Sequence, residues 1–311
     1  MPPLVLVITG PTATGKTALG VELSKKLNGE VVSADSMQIY EYMDIGTAKV
    51  TPDETQGIPH HMVGTVSPFE DYSAARYVED AAKCCDDILS RGKLPIIVGG
   101  TGLYIDSLLA GRTFAKRGDD GIRDRLSAEY DNLGGESLYE RLKAADPEAA
   151  ARLHSNDKKR IVRALEIFEA TGIPMSEHDR LSREVPPRYD AVKIALTFEN
   201  REDLYARIDK RVDLMFEAGL VKEVTKLLDM GLTSKHTAMQ AIGYKELVDA
   251  IQNGSSLTIA ADKIKQESRR YAKRQLSWLR RDSEINWISW KKTPEIETAV
   301  QLSTEFLNKH R

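Results

Sequence analysis

A run of apolar, mostly β-branched residues from Leu4 to Thr9 breaks into Gly10-Pro11-Thr12-Ala13-Thr14-Gly15-Lys16-Thr17 and passes at once into a helical pattern. No other feature of the chain limits its fold as tightly. A continuous apolar run of this length reads as a parallel strand buried on both faces. From Lys16 onward Leu19, Leu23 and Leu27 recur every four residues until Asn28-Gly29 stops the helix, and Val31-Val32 opens a second strand that ends near Asp35. The result is a βαβ opening, which predicts a parallel sheet with helices on its faces. The loop satisfies G-x-x-x-x-G-K-[ST] with a strand before it and a helix after it, the context that gives the motif its meaning. Glycines let the backbone wrap an anion, the amides and the helix N-terminus point at it, Lys16 adds a point charge and Thr17 can ligate Mg²⁺. Gly10 to Thr17 is therefore the candidate site for a diphosphate or nucleotide, and the motif does not say which.

Further along, residues 36–70 hold Pro, Gly, His and polar residues with weak periodicity, a connection long enough to suggest a functional role. Ser73 to Leu89 reads as a helix, Lys93 to Val98 as a third strand, and Leu103 to Leu109 as another helical stretch after Gly99-Gly100-Thr101-Gly102. Three parallel strands thus send the loops after Thr9, Ala34 and Val98 to one sheet edge, where a ligand is expected. Strand signals vanish between Gly111 and about Pro187, with Asp146-Pro147 as a helix start and Thr171 to Pro174 as a break. The predicted organisation is a catalytic core of residues 1–111 and 190–311 carrying a helical insertion domain, 112–189. Ala191 to Phe198 returns as a strand, followed by helices from Arg201 to Ala218, Val221 to Leu228, Ala241 to Ile251 and Leu257 to Arg281, and a last strand from Ile285 to Trp290. The fold class is α/β, a P-loop NTPase-like parallel sheet flanked by helices.

Among the 311 residues, 44 Lys and Arg stand against 47 Asp and Glu, so bulk charge does not advertise a polyanion partner and any nucleic-acid site must be a local patch. The two cysteines, Cys84 and Cys85, are adjacent and have no metal-ligand spacing, which argues against a disulfide framework or zinc module and suits a reducing cytosol. Leu4 to Ile8 is too short for a signal or membrane span, so a cytoplasmic protein without a membrane partner is expected. No dimer seam is legible, and a monomer is expected.

Asp35, in Ser33-Ala34-Asp35-Ser36-Met37-Gln38, ends the second strand beside the phosphate loop. There it can hold Mg²⁺ through water, take a proton from a nucleophile, or merely cap the next turn. Thr101 sits on a second Gly-rich, anion-friendly turn. Lys158-Lys159-Arg160-Ile161-Val162-Arg163 gathers four cations inside the insertion, and Arg269 to Arg281 is denser, with Tyr271 and Trp278 among its cations. Such helices suit phosphate contacts and stacking on unpaired bases, although a solvated face paired with acids is the plainer reading of either alone. Arg207 and Arg211, four apart on one helix, either reach the anion site or pair along their own helix. His60-His61 lacks ligand neighbours at metal spacing, so loop packing is expected.

Taken together, Gly10 to Thr17, Asp35 to Tyr40, Ile45-Gly46-Thr47-Ala48-Lys49, Gly57-Ile58-Pro59-His60-His61, Gly99 to Tyr104, Ile242-Gly243-Tyr244 and Ala272-Lys273-Arg274-Gln275 resemble the tRNA dimethylallyltransferase (tRNA isopentenyltransferase, IPP transferase) family across nearly the whole chain. Lacking C-terminal cysteines for a zinc finger, the sequence is similar to the shorter bacterial type. The resemblance implies transfer of a dimethylallyl group from its diphosphate to N6 of adenosine 37 in tRNAs reading codons that begin with U. It also implies that the loop, commonly described as nucleotide- or ATP-binding, holds the donor's diphosphate with Mg²⁺. By the same resemblance Asp35 is the general base, and Lys16, Thr17, Thr101 and Arg211 surround the diphosphate. Asp35, Ser36, Met37 and Gln38 would take the target adenine. Thr101, Arg123, Lys159 to Arg163, and Gln240, Ala241, Ile242, Gly243, Tyr244 and Lys245 would contact the tRNA. Two rivals fit the opening motif: a small-molecule or nucleotide kinase, and a noncatalytic RNA-binding module that uses the loop as a switch. The kinase has no need of the Asp35 to Tyr40 run or the Arg-rich helix, and the binding module predicts tRNA binding without diphosphate release.

Overall fold

A computed structural model describes residues 2–112, 114 and 120–310; residues 113 and 115–119 of the segment read as an insertion lie outside them. In chain order the elements are β1 (Leu4–Thr9), α1 (Lys16–Leu27), β2 (Gly29–Ser33), α2 (Pro52–Thr55), β3 (His60–His61), α3 (Ala74–Ser90), β4 (Leu94–Val98) and α4 (Gly102–Ala110). Next come α5 (Asp120–Leu133), α6 (Gly135–Ala145), α7 (Pro147–Ala150), α8 (Lys158–Thr171) and α9 (Met175–Glu184). The chain closes with β5 (Asp190–Phe198), α10 (Arg201–Glu217), α11 (Leu220–Asp229), a 3₁₀ turn at Ala238–Gln240, α12 (Tyr244–Asn253), α13 (Leu257–Leu279), β6 (Asn286–Trp290) and α14 (Ile296–His310).

The six strands form one parallel sheet in the order β3-β2-β4-β1-β5-β6. Val5 to Ile8 and Ile96 to Ile97 have no exposed surface, which explains why these central strands read as unbroken apolar runs. Helices α1 and α14 and the α10–α13 pair cover the sheet, and the core runs from Leu6, Ile8 and Leu23 through Ile194 and Leu196 to Trp290 and Leu307. Because all strands point one way, the turns after β1, β2 and β4 emerge at one edge, as the sequence pattern requires.

Two compact units divide the chain: Met1–Leu109 with Arg188–Arg311, and Ala110–Pro187. Within the second, α5, α6 and α8 pack around Leu126, Leu138, Leu142, Ile161, Val162 and Leu165. Buried Asp146 staples this unit, with one oxygen capping α7 at Ala149 N (2.9 Å) and the other accepting from Ser176 N (2.9 Å) at the start of α9.

His60 and His61 differ from the loop expectation, since they form a two-residue edge strand paired with Val31 and Val32. The reason lies on β2: Glu30 is buried and engages His61 (2.8 Å), Arg91 (2.5 Å) and Lys93 (2.7 Å), and that cluster draws the edge against the sheet. The Arg91 guanidinium, with Lys93 and His61 assisting, holds the Glu30 carboxyl well below the usual range despite its burial. The helix expected from Ala241 begins instead at Tyr244, because Gly243 takes φ +99°, a left-handed conformation that only glycine adopts cheaply.

Candidate active site

Backbone constraint shapes the phosphate loop. Gly10 has φ +135°, and a Cβ there would lie 2.4 Å from Leu196 O of β5, so only glycine lets the chain turn off β1. Ala13, with φ +66°, is a non-glycine residue held in the left-handed region, a strain of the kind that clusters at ligand sites. Gly15 precedes the first turn of α1 in the same region, and that turn, which no side chain caps, lines the cavity of the site. Thr14 is buried and bonds inward to Pro11 O (2.9 Å), which makes it part of the loop's frame.

Three cations converge here. Lys16 Nζ folds back onto Pro11 O (2.7 Å), Arg211 donates to Thr12 Oγ1 (3.0 Å) and Arg207 donates to Ala13 O (3.1 Å). Thus Arg207 and Arg211, whose role the sequence left open, both reach the loop from α10. Burial, reinforced by repulsion from Arg211, pulls the Lys16 ammonium down to about 7, with the Asp35 carboxylate opposing. Burial likewise lowers Arg211, against the pull of Asp35 and Glu54. Among the described residues none of the three cations forms a direct ion pair, as expected of a seat for phosphate.

Asp35 lies just past β2. Its Oδ1 accepts from Met37 N (2.9 Å) and Gln38 N (3.4 Å), so it does cap the following turn, while the other oxygen is engaged by none of the described residues. Thr101 Oγ1 accepts from Ser36 N (3.1 Å), which ties the turn after β4 to the Asp35 segment. Tyr271 of α13 lies beside Thr101, and burial and the nearby Asp35 carboxylate push its phenol up to about 12. Gln38 donates to Thr47 O (3.2 Å) and Ala48 O (3.0 Å), which holds its amide in one orientation. That loop is itself latched: Glu223 accepts from the amides of Asp44, Ile45 and Gly46 (2.9, 2.8 and 3.1 Å) and from Tyr244 Oη (2.6 Å).

An open cavity of about 880 Å³ joins these parts. Its walls include Thr12, Ala13, Thr14, Gly15, Lys16, Thr17, Asp35, Ser36, Met37, Gln38, Arg211, Gln240, Ala241, Ile242, Gly243 and Lys245. Gly10 and Pro11 are buried and Thr101 half-buried, and none of the three is on that wall; Tyr244 is fully buried against Glu223. Sequence reasoning did not make Tyr271 and Gln275 parts of the site; Gln275 bridges Thr12 N (3.2 Å) and Gly100 O (2.9 Å). Only their place in the basic stretch hinted at them.

In the second unit, Lys159 and Arg160 are exposed, whereas Ile161 and Val162 are buried in its core and present no side chain to a ligand. Arg123 and Arg163 both face buried Glu166, at 2.8 and 3.1 Å. On α13, Arg269 and Lys265 pair with Asp209 and Asp213 of α10, while Lys273, Arg274 and Arg280 remain exposed. Within the stretch from Arg269 to Arg281 the plain reading therefore holds for Arg269 and for Arg270, which pairs with Glu267.

Thr17 and Asp35 supply one hydroxyl and one carboxylate to the cavity, and no cluster of three His, Cys, Asp or Glu is found among the described residues. This sparse oxygen set fits Mg²⁺ held mainly by diphosphate oxygens and water, and not a cation caged by protein.

Two family descriptions match the chain, "IPP transferase" over residues 38–282 and "Isopentenyl transferase" over residues 3–63. The tRNA dimethylallyltransferase of Acetivibrio thermocellus is 49% identical over 286 residues, covering 92% of this chain and 91% of that protein. That of Caldanaerobacter subterraneus is 50% identical over 285 residues, covering 91% and 90%. Among solved structures, the full-length tRNA isopentenylpyrophosphate transferase of Bacillus halodurans superposes with a TM-score of 0.74 at 39% identity, covering 100% of this chain and 98% of that one. A eukaryotic dimethylallyltransferase acting on tRNA superposes with a TM-score of 0.84 at 30% identity, covering 99% and 80%. With the sheet, the phosphate loop and the Asp35 segment in place, these matches show that the chain belongs to the tRNA dimethylallyltransferase (IPP transferase) family.

Proposed function

We propose that the protein transfers the dimethylallyl group of dimethylallyl diphosphate to N6 of adenosine 37 in tRNAs reading codons that begin with U, releasing diphosphate. The observation that carries this reading is the convergence of the phosphate loop, with its underneutralised cations Lys16 and Arg211, on a carboxylate at Asp35 that keeps one oxygen uncommitted. Phosphoryl transfer needs the first of these features. A carboxylate beside the cradle serves a nucleophile too weak to attack unaided.

An exocyclic adenine amine is such a nucleophile, because its lone pair is delocalised into the ring. As N6 bonds to C1 of the donor, the C1–O bond breaks with its electron pair leaving on diphosphate, and the N6 proton passes to Asp35. Charge grows on the departing oxygens, where the loop amides, Lys16, Arg211 and Thr101 stand preorganised to receive it. Thr17 would help to hold Mg²⁺, which would supply charge neutralisation to the leaving diphosphate. Met37 and Gln38 flank Asp35 and hold the adenine after it has left its stack. Lys159, Arg160, Arg163 and Arg123 of the helical unit contact the anticodon stem and loop; in the core the tRNA meets Gln240, Ala241, Ile242, Gly243, Lys245 and the exposed cations of α13, with buried Tyr244 supporting that turn from beneath. Ile161 and Val162 serve the helical unit's contact as core of α8. A tRNA substrate places the protein in the cytoplasm, and it acts as a monomer; no helix among the described residues is long and apolar enough to cross a membrane.

The test supplies protein with Mg²⁺, radiolabelled dimethylallyl diphosphate and unmodified tRNA bearing adenosine or guanosine at position 37, beside an ATP-only control. Label in the adenosine tRNA alone supports the reading. ATP consumption with a small acceptor and no labelled tRNA supports the kinase instead, and tRNA binding without diphosphate release supports the binding module.

A further inference from the structure

Most of the cations of α13 face outward, but one polar side chain of its inner face has no part in the chemistry above. Gln275 is only 7% exposed, and its Nε2 donates to Gly100 O (2.9 Å) while its Oε1 accepts from Thr12 N (3.2 Å). A single planar amide therefore joins the turn after β4 to the phosphate loop after β1. One helical turn earlier Tyr271 meets Thr101, so the same face touches both sides of the cradle. The helix is itself anchored, by Arg269–Asp209 and Lys265–Asp213, to the helix that carries Arg207 and Arg211 to the loop.

Packing alone does not call for glutamine here. A buried amide loses hydration and is tolerated only when its donor and acceptor are both met, whereas leucine or methionine fills similar space without that demand. Gly100 provides an independent observation. It is absent from the glycines with left-handed backbone, so its conformation does not require glycine, yet a Cβ there would lie 2.2 Å from Gln275 Nε2. The turn lacks a side chain where the amide comes in.

We propose that Gln275 is a positioning residue that fixes the spacing between the phosphate loop and the Gly99 to Thr101 turn, so that both address one diphosphate. The proposal rests on the function proposed above. Without the bridge the loop amides and Thr101 separate, and the donor is held by fewer groups at once.

Three variants test it: Gln275→Met, which keeps volume and loses both bonds; Gln275→Glu, which keeps the acceptor and turns a negative charge toward Gly100 O; and Gly100→Ala, which displaces the amide. Separate kcat and KM values for donor and tRNA, with melting temperatures, are the readouts. Gln275→Met is expected to raise donor KM about tenfold and lower kcat several-fold while tRNA KM stays within about twofold, since two hydrogen bonds that orient the cradle are lost. Gln275→Glu is expected to be worse. Gly100→Ala is expected to match Gln275→Met, and the double variant to be no worse than either single, because both remove one bridge. A folded Gln275→Met with wild-type donor KM and kcat overturns the proposal, as do losses that multiply in the double variant. Should Gln275→Met fail to fold, Gly100→Ala with an unchanged donor KM overturns it. Titration with inorganic diphosphate needs no turnover: if wild type transfers no prenyl group, the proposed function falls, and weaker diphosphate binding by the variants still decides the bridge.

Discussion

Diphosphate binding is expected to draw a proton onto Lys16. In the free protein burial and the Arg211 charge pull this ammonium from 10.5 down to about 7, with Asp35 opposing. An anion carrying two or more negative charges, seated among the loop amides, removes the reason for that depression and returns the group toward 10.5. At pH 8 a group with a pKa of about 7 is only ~10% protonated, so binding takes up ~0.9 proton; the uptake falls to ~0.5 at pH 7 and ~0.1 at pH 6. The sign follows from linkage. Binding favours the protonated form, so donor affinity weakens as pH rises above about 7, approaching tenfold per pH unit. Calorimetric titration of dimethylallyl diphosphate at pH 8, where the donor itself is fully ionised, in buffers of different ionisation enthalpy reads the uptake as a slope. Lys16→Met is expected to abolish that slope and bind the donor far more weakly. A zero slope in the wild-type protein, or the same slope in Lys16→Met, refutes the reasoning.

Three other outcomes follow from named contacts. Asp35→Asn keeps an oxygen for the Met37 and Gln38 amides but cannot take the N6 proton, so kcat should fall by about 10²–10⁴ with little change in tRNA affinity, measured by single turnover and filter binding. Gly46→Ala places a Cβ 2.5 Å from the buried Tyr244 ring and should cost about 1–3 kcal/mol in denaturant unfolding; a variant as stable as wild type would show that the loop yields there. Asp146→Ala should cost about 1–2 kcal/mol through the lost caps of α7 and α9. Burial raises the Asp146 carboxyl, but the Ser176 and Ala149 amides outweigh it and hold the group below 3.8. Its stabilisation is therefore complete above the unfolded value and lost as pH falls through the lower folded one, so the gap between Asp146→Ala and wild type should narrow in acid melts.

What was legible from sequence was local. β1, the glycine loop and α1 declare themselves because the central strand is buried on both faces and Gly10 has no substitute where it passes Leu196. Asp35 was readable as the residue ending a strand at the loop-bearing edge. The bridge through Gln275 was not, since its partners are 263 and 175 residues away and its neighbours in sequence are cations that drew attention outward. For the same reason Ile161 and Val162 passed as part of a basic segment, although helical spacing turns them into the core of α8. The connection from 36 to 70 lacks periodicity because its order is imposed from elsewhere, by Glu223 on three successive amides and by Glu30 on His61. The start of α12 was misplaced although its signal was present, since Gly243 interrupts the pattern that begins at Ala241.

The phosphate loop is expected to hold a prenyl diphosphate whose reacting carbon faces Asp35. A crystal structure of the protein with Mg²⁺ and the unreactive dimethylallyl thiodiphosphate addresses it directly. Diphosphate oxygens are expected on the amides of residues 13–17, with the Thr12 amide still held by Gln275, Lys16 and Arg211 turned toward the anion, and the first carbon of the tail within reach of Asp35. A diphosphate bound elsewhere, or a tail directed away from Asp35, would contradict it.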